Sequence, residues 1–163
     1  MKPKVYLETT IISYLVSRPS RDLVTAAHQQ ITQAWWEDHR RQFDLYVSQF
    51  ILQEIGSGDK EAVKRRLSII EKIPSLDVTE EVPALANALV NGNAIPSQSI
   101  VDALHIAVST IRGMDFLLTW NMKHLANASM RNAITAVCLS YSYKPPVICT
   151  PEELSEGISY VER

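Results

Sequence analysis

Val5-Tyr6-Leu7-Glu8-Thr9-Thr10 is the stretch from which the fold is read. Three apolar or β-favouring residues run into a carboxylate, and two hydroxyl residues follow. The pattern predicts a buried parallel strand that delivers an acid to the carboxyl edge of a sheet. Open α/β sheets bind ligands at that edge. One acid at a strand end is a weak signal. It gains weight if later segments bring further polar groups to the same edge.

The rest of the chain alternates helical and strand patterns. Thr9 or Thr10 can cap a short helix carrying Ile11, Ile12 and Leu15. Ser20 or Asp22 can start a long helix in which Leu23, Ala27, Ile31, Ala34 and Trp35 follow a period of about 3.6 residues; it fades at the charged residues 37–41. Leu45-Tyr46-Val47-Ser48 reads as a second strand, with Ser48 capping a helix through Phe50, Ile51, Leu52 and Ile55. A helix over 59–73 is expected to bury Val63, Leu67 and Ile70 and to pair Glu61 with Arg65 on its solvent side. Leu76-Asp77-Val78 is a third strand. Thr79 then caps a helix that buries Val82, Leu85, Ala86 and Leu89. The helix over 100–112 is expected to face inward with Val101, Leu104, Ala107, Val108 and Ile111. Phe116-Leu117-Leu118-Thr119 is a fourth strand, followed by a helix from Lys123 and another over about 130–141. Val147-Ile148-Cys149 is the fifth. Thr150-Pro151-Glu152-Glu153 carries a helix-start signature, and the tail after Leu154 is expected to be peripheral. Strand and helix alternate throughout. That order predicts a single α/β domain over 1–163, a three-layer α/β/α fold with a mostly parallel sheet of about five strands.

Composition narrows the function classes. The 163 residues are 46% apolar and 21% charged, enough for one core without staples. A net charge of −2 argues against a protein that coats nucleic acid non-specifically, but leaves room for a local basic rim around an acidic centre. Cys138 and Cys149 lack metal-ligand spacing and are expected to be reduced, buried thiols. Glu8 interrupts the only apolar run near the start that could serve as a secretory signal. No stretch approaches the roughly 20 apolar residues of a membrane span, so a cytoplasmic protein is expected.

Four polar residues fall at equivalent places. Glu8 ends strand one, Glu54 lies on the helix after strand two, Asp102 opens the helix before strand four, and Asn121 follows strand four. In a parallel sheet all four point toward the carboxyl edge. Three carboxylates converging there repel one another unless a cation neutralises them, and Mg²⁺ or Mn²⁺ does so with oxygen ligands. Such a site activates water against a phosphodiester. The plainer reading is that acids near helix starts merely answer the helix dipole. Asp102 resists that reading best, because Ile100, Val101, Ala103 and Leu104 surround it.

The chain resembles the PIN domain, the fold of the VapC-type ribonuclease toxins of bacterial and archaeal toxin–antitoxin pairs. Val5-Tyr6-Leu7-Glu8-Thr9-Thr10 resembles the opening strand, and Glu54 matches the second acid. Asp102-Ala103-Leu104-His105-Ile106-Ala107 is similar to the third-acid helix. Asp115-Phe116-Leu117-Leu118-Thr119-Trp120-Asn121 resembles the strand leading to the fourth polar position. The segment 147–154 resembles the closing strand and helix cap. The resemblance implies a Mg²⁺- or Mn²⁺-dependent endoribonuclease, a homodimer, and an antitoxin partner that sets a basic residue in the acidic pocket. It implies that Glu8, Glu54, Asp102 and Asn121 are the catalytic and metal-binding residues, with Thr10 supporting the cluster and Thr119 orienting Asn121. The chain departs from the pattern twice, with Glu8 and Asn121 where Asp is usual. These changes predict a weak or one-metal site, and motivate a second reading as a binding or scaffold module that has lost cleavage. Asp115 cannot replace Asn121, because it lies at the far end of strand four.

Other residues admit two roles. Arg18, Arg21, Lys123 and His124 can contact an RNA backbone, or simply be solvated. Lys64-Arg65-Arg66 reads as a solvated face. His105, three residues after Asp102, reads as a core or supporting histidine ahead of a direct one. Trp120 can stack a base or pack against a helix. Trp35 and Trp36 cannot both face one core, so one is a candidate for a dimer or partner surface.

Overall fold

β1 (Lys4–Leu7), β2 (Asp44–Ser48), β3 (Ser75–Leu76), β4 (Phe116–Leu118) and β5 (Val147–Cys149) form one sheet in the computed structural model, which describes residues 1–155. Every pairing is parallel, and the order is β3-β2-β1-β4-β5. β1 is the central strand: Val5 lies opposite both Leu45 and Phe116, and Val5, Tyr6 and Leu7 are fully buried. β2 and β3 extend the sheet to one side of β1, and the chain then crosses to place β4 and β5 on the other. The winding reverses at the β1/β4 pair. An open sheet leaves a crevice beyond the carboxyl ends of its strands at such a point.

The helices are α1 (Thr9–Val16), α2 (Leu23–His39), α3 (Gln49–Ile55), α4 (Lys60–Ile70), α5 (Glu81–Asn91), α6 (Ile100–Ile111) and α7 (Ala128–Ser140). α1 packs on α2, α3 and α4, whereas α5 packs on α6 and α7, giving the three-layer α/β/α architecture. Side-chain caps set several starts: Asp22 accepts from Thr25 N, Ser48 from Phe50 N, Asp59 from Ala62 N and Asn127 from Ser129 N. After β5, Thr150 and Glu153 satisfy each other's backbone amides, opening a helix over 151–155. The tail beyond 155 lies outside the described residues. No helix among those described is long and apolar enough to cross a membrane.

Several local expectations are corrected. The cap of α1 is Glu8, whose carboxylate accepts from Thr10 N, rather than Thr9 or Thr10. α4 buries only Ile70; Leu67 is 43% exposed, because the helix lies at the periphery. Arg65 does not pair with Glu61. Its Nε donates to Val16 O, and Arg66 donates to Ile55 O, so each arginine serves the last carbonyl of a helix, α1 and α3. The α6 face is partly as expected: Ala107 and Val108 are fully buried, but Val101 is exposed, Leu104 and Ile111 are half-buried, and Ala103 and Ile106 are buried instead. β3 stops at Leu76, and residues 122–125 form a single turn rather than a helix. Trp35 is buried, and Trp36 is half-buried with the Arg40 guanidinium 5.2 Å above its ring. Cys138 and Cys149 are free and buried, as expected.

Candidate functional site

The hydroxyl and amide residues after β1 and β4 bind these two strand ends together. Glu8 is 3% exposed, and its backbone N–H donates to Leu118 O. Its Oε1 accepts three hydrogen bonds: from Thr10 N at 3.1 Å, Thr10 Oγ1 at 2.5 Å and Thr119 Oγ1 at 2.6 Å. Thr10 and Thr119, both read as supporting residues, therefore converge on one carboxylate oxygen. Burial pushes the Glu8 carboxyl above its ordinary range; the nearby His105 and these hydrogen bonds pull it back without cancelling the rise.

Thr119 extends the network by accepting from Asn121 N at 2.9 Å. Asn121 Nδ2 donates to Asp102 Oδ1 at 3.1 Å, and Asn121 Oδ1 accepts from His124 N, capping the turn that follows. His124 Nδ1 is 2.9 Å from Asp102 Oδ2, with Ser99 Oγ at 3.2 Å from the same nitrogen. Glu8, Thr119, Asn121, Asp102 and His124 thus form one continuous chain of contacts across β1, β4 and α6.

Glu54 joins from α3 by another route. Its Oε1 accepts from Thr9 Oγ1 at 2.8 Å and from His105 Nε2 at 2.5 Å. Partial burial is the largest single influence on this carboxyl and opposes ionisation. The hydrogen bond and charge of His105, together with Thr9, outweigh it and hold the group below its ordinary range. His105 is fully buried, and its Nδ1 lies 2.7 Å from the Tyr6 hydroxyl, which lies 2.7 Å from Ser48 Oγ. Burial drives the Tyr6 phenol well above its ordinary range, so it keeps its proton. An ionised Glu54 only accepts, so Nε2 donates to it, and the Tyr6 hydroxyl, which keeps its proton, can donate to Nδ1.

His105 is thus the supporting residue expected. Sequence reading missed Tyr6 and Ser48 as companions of His105, Thr9 as a partner of Glu54 and Ser99 as a partner of His124. The one available signal was Tyr6, since a tyrosine in a buried strand needs a partner for its hydroxyl. Trp120 packs rather than presenting itself to solvent. It is 6% exposed, stacks on His28 at 3.9 Å and donates from Nε1 to Thr32 at 2.7 Å. Arg18, Arg21 and Lys123 are exposed, and none makes a salt bridge with a described residue. Asp115 sits at the opposite edge, accepting from Lys4 N and lining an open groove of about 650 Å³.

Hydrogen bonding links all four predicted residues to the carboxyl edge, but they are not gathered into a ready cage. Among the described residues, no three His, Cys, Asp or Glu side chains form a group that could hold a metal ion. The donor set nevertheless suits a hard cation in kind, being three carboxylates and an amide. Oε2 of Glu8 and Oε2 of Glu54 have no hydrogen-bond partner among the described residues, and neither is a sealed, unpartnered atom. No described lysine or arginine lies within salt-bridge distance of Glu8, Glu54 or Asp102; their only basic neighbours are the two histidines. No family model matches the chain, and no curated protein matches it significantly.

Proposed function

We propose that the chain is a Mg²⁺- or Mn²⁺-dependent endoribonuclease, the toxin component of a type II toxin–antitoxin pair acting in the cytoplasm. One observation carries the cation reading. Three carboxylates are tied by hydrogen bonds into the network at the carboxyl edge of the sheet with no lysine or arginine within salt-bridge distance among the described residues, and one of the three is 3% exposed. A buried charge is costly unless it is paired or bound to a metal. RNA as substrate, an antitoxin and a homodimer follow from the PIN-domain resemblance.

In this reading Glu8, Glu54 and Asp102 would hold the cation, which lowers the pKa of a bound water and offsets charge developing on the phosphodiester. Thr10 and Thr119 fix Glu8 by occupying Oε1, which leaves Oε2 for the site. Asn121 aligns Asp102 through its amide. Arg18, Arg21, Lys123 and His124 supply the cationic surroundings that draw in a polyanion.

A specific observation favours a second reading, a PIN-like binding or scaffold module without cleavage. His105 and His124 already engage Glu54 and Asp102, and among the described residues no metal-holding group of three is assembled. Mn²⁺ calorimetry and incubation with a mixed single-stranded RNA pool separate the two. The nuclease is expected to bind Mn²⁺, cut RNA, and lose cutting in Asp102→Asn. Protein that gives no Mn²⁺ heat and leaves every RNA intact is the binding module instead.

A further inference from the structure

We infer that His105 is a positioning residue: braced by Tyr6 and Ser48, it fixes Glu54 so that one carboxylate oxygen is presented as a cation ligand. The inference rests on the cation reading above and names a part that the resemblance does not assign. A glutamate on a seven-residue helix, 36% exposed, has several rotamers open to it and would lose that freedom on binding a cation. Here the loss is already incurred. Thr9 and His105 hold Oε1 from two sides, and Oε2 is left without a protein partner among the described residues.

The brace is built deep. The His105 ring is fully buried, tilted 51° against Tyr6 and edge-on to Phe50 at 6.3 Å. Both ring nitrogens are engaged, Nδ1 by Tyr6 and Nε2 by Glu54, so the ring cannot rotate without breaking two bonds. Tyr6 is in turn fixed by Ser48, the residue that caps the helix carrying Glu54. The loop closes on itself: Ser48 sets where α3 begins, and through Tyr6 and His105 it also sets where the carboxylate of α3 ends. His105 follows Asp102 on α6, so one helix contributes a carboxylate of the site and the part that places a second. Outer partners of this kind, orienting a ligand through hydrogen bonds, tune metal affinity.

The test is Mn²⁺ calorimetry on the full chain, with far-UV circular dichroism confirming the fold of each variant. Glu54→Gln and His105→Leu are each expected to weaken Mn²⁺ binding by about 10–100-fold. His105→Gln offers an amide donor near the place of Nε2 and is expected to recover affinity to within about threefold of the parent. Rescue by that variant separates positioning from mere core filling, which Leu performs better. Folded His105→Leu that binds like the parent, while Glu54→Gln does not, overturns the positioning role and leaves the cation reading standing. If His105→Leu fails to fold, Tyr6→Phe decides: unchanged affinity there overturns the role, and about tenfold weakening supports it. No Mn²⁺ heat from the parent overturns the cation reading and this role with it.

Discussion

Removing one oxygen from Tyr6 should destabilise the whole molecule measurably. Tyr6 lies fully buried in the central strand, and its hydroxyl makes two bonds of 2.7 Å, to Ser48 Oγ and His105 Nδ1. In Tyr6→Phe the ring still fills its space, so the loss is confined to polar interactions. Two buried hydrogen bonds contribute roughly 0.5–1.5 kcal/mol each, and an acceptor stranded in the core costs about 1–3 kcal/mol. Ser48 Oγ keeps its bond from Phe50 N, so only Nδ1 is fully stranded. These terms overlap, and the expected destabilisation is about 2–3 kcal/mol. For a chain of this size that is a fall in Tm of roughly 4–12 °C. Urea unfolding followed by tryptophan fluorescence reads it directly, with the buried Trp35 and Trp120 as reporters. Tyr46→Phe is the control: it is half-buried with no hydrogen bond from its hydroxyl to a described residue, and should stay within about 0.5 kcal/mol of the parent. A Tyr6→Phe loss no larger than that of the control would refute the buried Ser48–Tyr6–His105 network.

Other outcomes follow from the same contacts. Glu8→Gln keeps an acceptor for Thr10 and Thr119 but cannot ionise, so it should be at least as stable as the parent at neutral pH. The sign is set by the raised Glu8 carboxyl: its burden is absent below the ordinary carboxylate range, grows as pH rises toward the folded pKa, and is full above it. Denaturant melts from pH 4 to 8 should show the variant's advantage widening with pH, and an advantage that shrinks would contradict it. Thr32→Val strands the Trp120 indole N–H in a buried site and should cost about 1–3 kcal/mol in urea melts. The Cys149 thiol, pushed up to about 12 mainly by burial, should resist iodoacetamide in the native state at pH 8 and react on unfolding. Rapid native labelling at Cys149 by mass spectrometry would count against its burial.

Much of the fold was legible because backbone needs write themselves into sequence. Asp22, Ser48 and Asp59 precede helices, and Val82, Leu85, Ala86 and Leu89 mark a buried stripe at helical spacing. Strand order was not, because nothing local in Phe116-Leu117-Leu118 says that it lies beside β1 rather than β3. The four polar residues of the site were legible as strand-end and helix-start acids, together with an amide. Their partners were hidden by double meaning. Tyr6 reads as an ordinary strand residue, and Thr9 as a helix cap; only the tertiary fold turns their hydroxyls toward His105 and Glu54. Trp120 was ambiguous for the same reason, since its stacking partner His28 sits on a distant helix.

The central place of β1 also governs when the site comes into being. Glu8 leaves the ribosome early, but Thr119, which clamps it, is 111 residues behind. Until β4 arrives, β1 can pair only with β2, and one of its edges stays open. Loop closure over that span is entropically costly and slow compared with local helix formation. The acidic centre is therefore among the last parts of the molecule to be assembled, and a chain interrupted before β4 carries Glu8 and Glu54 but no crevice to hold them. Whatever chemistry the acidic centre performs, synthesis is nearly complete before its parts are held together.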